Sequence, residues 1–120
     1  MNDVAIVVDG LGDLELPDSQ PVIYDRPIGV PLLYQDPISG GEHYLVRYPA
    51  GLGAQRHRHT AAHTIVVLEG TLVVNGRAVG PGAYCHFPAG ESMHHAPAAD
   101  EPSLFINLFH GPSDVFPVDD

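Results

Sequence analysis

The chain has 120 residues, of which 44% are hydrophobic and 17% are charged, a composition typical of one globular domain. Fifteen acidic residues outnumber five arginines, and the formal net charge of −10 disfavours nucleic acid and anionic membranes as partners. Because the sequence contains no lysine, Schiff-base catalysis and a phosphate-binding P-loop are excluded.

The single cysteine, Cys85, excludes an intrachain disulfide and predicts a reducing compartment, for which the cytoplasm is the expectation. Residues 1–18 lack the basic start of a secretory signal, and their apolar run is too short for a membrane span.

Thirteen glycines and twelve prolines are spread along the chain, which is typical of many short strands. Residues 1–20 form an acidic segment that could pair with a sheet edge or be exchanged with a partner, and the core is expected at about 21–117. A helical turn is expected near residues 10–14. Strands are predicted, in chain order, at residues 4–8, 21–24, 43–48, 64–68, 71–74, 83–87 and 103–109.

Two dipeptides predict hairpins in the middle of the chain. Glu69-Gly70 lies between two apolar strands, and Asn75-Gly76 is a strong signal for a two-residue turn. Short strands that must hide their edges fit best in a sandwich or a small closed barrel. The predicted fold class is therefore all-β, with one domain over residues 1–120.

Histidine is unusually frequent, with eight residues in the chain, six of them from position 57 to position 95. His57, His59 and His63 share parity, so on an extended chain their side chains leave the same face. Neutral imidazoles are common ligands of zinc, iron, nickel and copper. The trio therefore predicts a transition-metal site.

The segment from Gly51 to Gly70 resembles the first motif of the cupin superfamily. That motif reads glycine, five residues, HxH, three or four residues, glutamate, six residues, glycine. Every element matches except the glutamate, whose position holds His63. Residues 82–97 are similar to the second motif, but a strict count places Met93 at its histidine and residue 97, a proline, at its asparagine.

The resemblance implies a double-stranded β-helix, a jelly-roll-like barrel, that holds one divalent transition metal. It implies His57, His59 and His63 as ligands together with one histidine of the second motif. Of the two candidates, His94 is preferred over His95 because it needs the smaller register slip. His63 could instead give or take a proton. Fe²⁺ is the expected ion, with Zn²⁺, Ni²⁺, Mn²⁺ and Cu²⁺ as alternatives.

The strand before the second motif offers further pocket groups. Alternate residues of a strand share a face, so either Tyr84 and His86 or Cys85 and Phe87 point inward. Tyr84 and His86 are therefore candidate pocket residues.

The resemblance and the histidines together imply a metal-dependent enzyme. The first expectation is an Fe(II)-type dioxygenase that acts on a small metal-chelating substrate such as a diketone, an enol or a phenol. The alternatives are a redox-neutral Zn or Ni isomerase, cyclase or lyase, in which His63 moves a proton, and a non-catalytic cupin that binds a ligand or a metal. The family also implies a homodimer.

Overall fold

The computed structural model describes residues 5–118, and strands dominate this part of the chain. One 3₁₀ turn, η1, lies at Leu11–Asp13, where a helical turn was predicted. Within the described residues, no helix has the length and hydropathy of a membrane span. The strands are β1 (Asp18–Ser19), β2 (Ile28–Gly29), β3 (Leu32–Gln35), β4 (Glu42–Tyr48), β5 (His57–His59), β6 (His63–Glu69), β7 (Leu72–Val74), β8 (Arg77–Val79), β9 (Tyr84–Phe87), β10 (His95–Pro97), β11 (Ser103–Phe109) and β12 (Val115–Pro117).

The largest sheet has the strand order β1-β2-β4-β11-β6-β9, and β3 also pairs with β4. Its centre is β11, which is antiparallel to both neighbours: Phe105 lies opposite Val46 on β4 and opposite Val67 on β6. These three side chains are buried. They therefore define the inner face of the sheet, toward which alternate residues of each strand point.

Two smaller sheets, β10-β7-β8 and β12-β5, contribute the other side of the core. Their buried side chains include Leu72 and His57, and they form one domain core with the inner face of the large sheet. The prediction of an all-β domain is confirmed. The buried core cluster consists of Ile28, Val46, Tyr48, Leu52, Ile65, Val67, Leu72, Phe87, Met93 and Phe105.

The two dipeptides that predicted hairpins behave differently. Asn75-Gly76 joins the antiparallel strands β7 and β8, with φ values of 47° and 83°, so this prediction is confirmed. The prediction at Glu69-Gly70 is wrong, because β6 and β7 belong to different sheets. Gly70 instead turns the chain from one sheet to the other, packed tightly against Pro102.

Two strand predictions near the N-terminus fail. Residues 21–24 form a turn closed by a hydrogen bond from the Tyr24 amide to the Pro21 carbonyl, and Tyr24 itself forms a single bridge to Ala54. Of the predicted strand at 4–8, residue 4 lies outside the described residues, and residues 5–8 form no strand. The other five predicted strands are present, with their ends shifted by one residue or not at all.

Replacing Gly70 by alanine is expected to destabilise the fold by about 3 kcal/mol. The residue has φ +73°, and an added Cβ would overlap the Pro102 carbonyl oxygen. Gly76→Ala is the matched control, since its φ is +83° but nothing lies within 4 Å of an added Cβ. The control should cost about 1 kcal/mol. Urea unfolding measures both variants, and an equal decrease in their free energies of unfolding would contradict the steric explanation.

Candidate metal centre

Three histidines from two strands converge at one end of the core. His57 and His59 lie on β5, and His95 begins β10; one ring nitrogen from each lies within 4.8 Å of the other two. The imidazole centroid of His57 is 5.0 Å from that of His59 and 5.1 Å from that of His95. We call these residues the three-His group. Small side-chain adjustments would bring all three nitrogens onto one ion.

Backbone pairing places β5 against the second-motif segment. The amide of His57 donates to the Met93 carbonyl at 2.9 Å, and the amide of Met93 donates to the His57 carbonyl at 2.7 Å. On its other edge β5 pairs with β12, where Val115 lies opposite His59. The HxH strand is thus held on both sides, and His95 lies two residues beyond its bridge partner.

The hydrogen bonds of His57 and His95 leave the same nitrogen available in each ring. Nδ1 of His57 donates to the Gln55 carbonyl at 2.8 Å, and Nδ1 of His95 is 2.7 Å from the Tyr48 hydroxyl. Both Nε2 atoms are buried and have no hydrogen-bond partner among the described residues. Because a buried polar atom without a partner is costly, these two atoms fit the role of metal ligands.

The Tyr48 hydroxyl is itself part of a chain, since it also hydrogen-bonds to the Tyr24 hydroxyl. Burial raises the pKa of both tyrosines above the usual value, so each stays a neutral hydroxyl. The two rings pack edge to face at 5.3 Å. The chain from Tyr24 through Tyr48 therefore fixes the ring of His95.

His63 and the three-His group are expected to be neutral near pH 7, the state of imidazole that binds metals. Burial is the main cause: it lowers the pKa of His59 to about 4 and that of His63 to about 3. Burial also lowers the pKa of His57 and holds that of His95 well below the usual value. The neighbouring imidazoles act in the same direction.

His63 lies beside the three-His group but not within it. Its ring centroid is 4.5 Å from that of His59 and 6.2 Å from that of His95. The ring stacks on Phe87 at 4.7 Å and on Phe109 at 5.0 Å. Both of its nitrogens are buried without a hydrogen-bond partner among the described residues. An unpartnered imidazole therefore stands next to the candidate ligands.

His94, the preferred second-motif ligand of the sequence analysis, points away from the group. Its Nε2 is 2.8 Å from the Ala54 carbonyl oxygen, and its amide donates to the Asn75 side chain. His95, the alternative, takes the inward position. The reason is strand parity: a shift of two residues from Met93 keeps the side chain on the same face, whereas a shift of one reverses it.

Tyr84 and His86 lie on the outer face of β9, so they are not pocket residues. Tyr84 is 70% exposed, and His86 is exposed with its Nδ1 2.9 Å from the Thr64 hydroxyl. Phe87 faces the core instead. The inward-facing pair is therefore Cys85 and Phe87, and Cys85 lies opposite Ile65 on β6.

An open cleft of about 430 Å³ leads to the three-His group. His59, His95 and Tyr48 line its inner end. Its walls are mostly apolar, and Asn107 is a buried polar residue among them. The cleft can therefore admit a small organic molecule to the candidate metal position.

Sequence reasoning missed the groups that orient the candidate ligands. Tyr24 lies far from the histidines in sequence, and the Gln55 carbonyl belongs to the backbone. No sequence motif identifies either group. Tyr48 shares strand parity with the inward-facing Val46, which was the available signal. Asn107 could have been found as a polar residue between two phenylalanines, Phe105 and Phe109, on the inner face of β11.

Replacing Tyr48 by phenylalanine is expected to weaken metal binding by about 10- to 100-fold, because it removes the hydrogen bond that orients His95. Tyr44→Phe is the matched control, since Tyr44 lies on the same strand and face but donates to Glu42. Competition with a chromophoric chelator measures both affinities. Equal affinities in the two variants would contradict the orienting role of Tyr48.

The chain is similar to a known domain family. Residues 24–114 match the model of the ChrR cupin-like domain. No match was found among curated proteins.

Solved structures resemble the chain in overall fold. A cupin-like protein of Thermotoga maritima has a TM-score of 0.75 at 19% identity, and the alignment covers 88% of each chain. An acetylacetone dioxygenase from Acinetobacter johnsonii has a TM-score of 0.76 at 20% identity, covering 100% of this chain and 83% of that one. A sugar phosphate isomerase of Silicibacter pomeroyi has a TM-score of 0.62 at 23% identity, covering 78% and 66%. At these identities the likeness shows the fold alone.

Proposed function

The chain belongs to the ChrR cupin-like family and has the cupin fold that its two motifs implied, and from this premise we propose that it is a metal-dependent dioxygenase. Its substrate would be a small molecule with two oxygen atoms that chelate a metal, such as a diketone, an enol or a phenol. The observation that carries the proposal is the pair of buried, unpartnered Nε2 atoms of His57 and His95.

His57, His59 and His95 would hold the ion. When bound, an Fe(II)-type ion would supply Lewis acidity toward the chelating oxygens and a redox partner for dioxygen. Three protein ligands leave coordination positions for the substrate, whereas a fourth histidine would compete for one of them. The position of His63 outside the three-His group supports this arrangement.

The residues around the group would bind and enclose the substrate. Phe105 and Phe109 line the cleft and pack against the histidines, so they would exclude water from the bound molecule. His63, between Phe87 and Phe109, would stay a neutral imidazole beside His59 and hold its proton at one ring nitrogen. Tyr48 would keep His95 in its binding orientation.

Metal analysis and oxygen uptake test the proposal. The purified protein, reconstituted anaerobically with Fe(II), is expected to hold about one ion per chain and to consume dioxygen when 2,4-pentanedione is added. This probe follows from the acetylacetone dioxygenase among the similar structures. Bound iron without oxygen uptake on 2,4-pentanedione, catechol or other chelating substrates would contradict the dioxygenase proposal and favour a non-catalytic binding role.

A second candidate is a redox-neutral zinc or nickel isomerase, cyclase or lyase. The unpartnered imidazole of His63 favours it, because a free ring nitrogen beside the candidate ligands could move a proton from a substrate that a bound ion has made more acidic. Sugar phosphates are poor candidates, since the charged residues that line the cleft are both acidic, Asp18 and Glu42. Substrate turnover with zinc and without oxygen uptake would identify this class.

A further inference from the structure

Asn107, in the middle of the inner face of β11, has an amide oxygen that no hydrogen bond of the described residues satisfies. It is 7% exposed, and its Oδ1 is buried with no hydrogen-bond partner among the described residues. The residue lines the cleft that leads to the three-His group. Because an unpartnered buried amide oxygen is costly, this position calls for an explanation other than folding.

The neighbours of Asn107 on its own strand locate it opposite the three-His group. Phe105, two residues before it, has its ring centroid 6.2 Å from that of His95. Phe109, two residues after it, lies 5.0 Å from the ring of His59. Since alternate residues of a strand share a face, Asn107 faces the space between these two histidines.

The charged side chains that line the cleft together with Asn107 are acidic. On β4 the residue directly opposite is Tyr44, whose hydroxyl donates to Glu42 at 2.8 Å and is therefore already engaged. The carboxylates of Glu42 and Asp18 line the same cleft. A ligand that is uncharged in solution and carries hydrogen-bond donors suits this lining better than an anionic one.

We propose that Asn107 selects the substrate: its Oδ1 accepts a hydrogen bond from a hydroxyl group that lies next to the two chelating oxygens. The substrate class is then a chelator with an additional hydroxyl, such as a trihydroxylated phenol or a hydroxylated enol. This inference rests on the proposed metal site, since the chelating oxygens define where the hydroxyl lies.

Two probe molecules that differ by one hydroxyl test the inference. Catechol chelates through two adjacent oxygens, and pyrogallol adds a third hydroxyl beside them. The full chain is loaded with Co(II) under anaerobic conditions, and binding is followed by its visible absorption bands. The wild-type protein is expected to bind pyrogallol about tenfold more tightly than catechol, the value of one net hydrogen bond to a buried acceptor.

Asn107→Leu is the informative variant, because it replaces the amide by an apolar group of similar size. It should bind the two probes with equal affinity, and its melting temperature should rise by about 4 °C, since an unpartnered polar group is removed from the interior. Ile106→Val is the matched control on the opposite face of the same strand, and it should keep the tenfold preference.

The outcomes separate this inference from the proposed function. If wild-type protein binds Co(II) and catechol but Asn107→Leu keeps the preference for pyrogallol, the role of Asn107 is overturned and the metal site stands. A lower melting temperature of Asn107→Leu would also overturn it, because the amide would then serve the fold. If wild-type protein binds no Co(II), the proposed function fails and this inference with it.

Discussion

Replacing His57 or His95 by alanine is expected to abolish stoichiometric metal binding, whereas His94→Ala should bind metal as the wild-type protein does. The first two residues offer buried, unpartnered Nε2 atoms, but the Nε2 of His94 is engaged by the Ala54 carbonyl. The affinity should fall by more than about 100-fold, since losing even a group that only orients a ligand costs 10- to 100-fold. Mass spectrometry of the reconstituted proteins measures the metal content.

His94→Ala is the matched control for this experiment, because it removes an imidazole from the neighbouring position without touching the three-His group. His63→Ala is expected to retain the metal, because its imidazole lies outside the three-His group. The placement of β10 would be contradicted if His94→Ala lost the metal and His95→Ala kept it. Circular dichroism of each variant verifies that a loss of metal does not reflect unfolding.

The metal-free protein is expected to lose stability steeply as the pH falls below about 6.5. In the unfolded chain the histidines have a pKa near 6.5, whereas burial lowers those of His59 and His63 to about 4 and 3. Between these values the unfolded state binds protons that the folded state does not, so acid favours unfolding. Above pH 6.5 these histidines do not reduce the free energy of unfolding. Below it, that free energy decreases as the pH falls toward the pKa values of the folded state.

The expected size of this effect is large for a small domain. One pKa unit corresponds to about 1.4 kcal/mol, so moving from pH 7.5 to pH 5.0 should cost about 2 kcal/mol for each of these two histidines. Urea unfolding of the chelator-treated protein at both pH values measures the loss. His63→Leu should reduce the loss by about 2 kcal/mol, the contribution of this one histidine, while the other buried histidines keep theirs. A free energy of unfolding that does not change with pH would contradict the burial of neutral imidazoles.

The fold was largely predictable because the strong local signals agree with the tertiary structure. The long apolar strands β4, β6 and β11 and the Asn75-Gly76 turn are all present. Strands of two or three residues, such as β5 and β12, carry too little periodicity to be recognised alone. Glu69-Gly70 has the composition of a hairpin turn, yet contact with Pro102 and the change of sheet, neither visible locally, decide its role.

The sequence predicted that histidines form the candidate site, but it predicted less well which histidine of the second motif faces the site. The HxH spacing indicated His57 and His59 correctly as neighbours, because two residues of one strand face the same way. Counting residues to the second motif favoured His94, but the side-chain period of two selects His95. A motif count measures sequence distance, whereas a metal site requires side chains on the same face.

The pairing of β5 with β12 has a consequence for biosynthesis. The strand that carries His57 and His59 is bordered by residues 115–117, which the ribosome adds almost sixty residues later. At about 5 to 20 residues per second, several seconds separate the two events. During that interval His57 and His59 of the nascent chain lack the pairing with β12 and are accessible to any cation in the surrounding solution. The proposed metal site is therefore expected to become selective for one ion only after β12 has docked on β5.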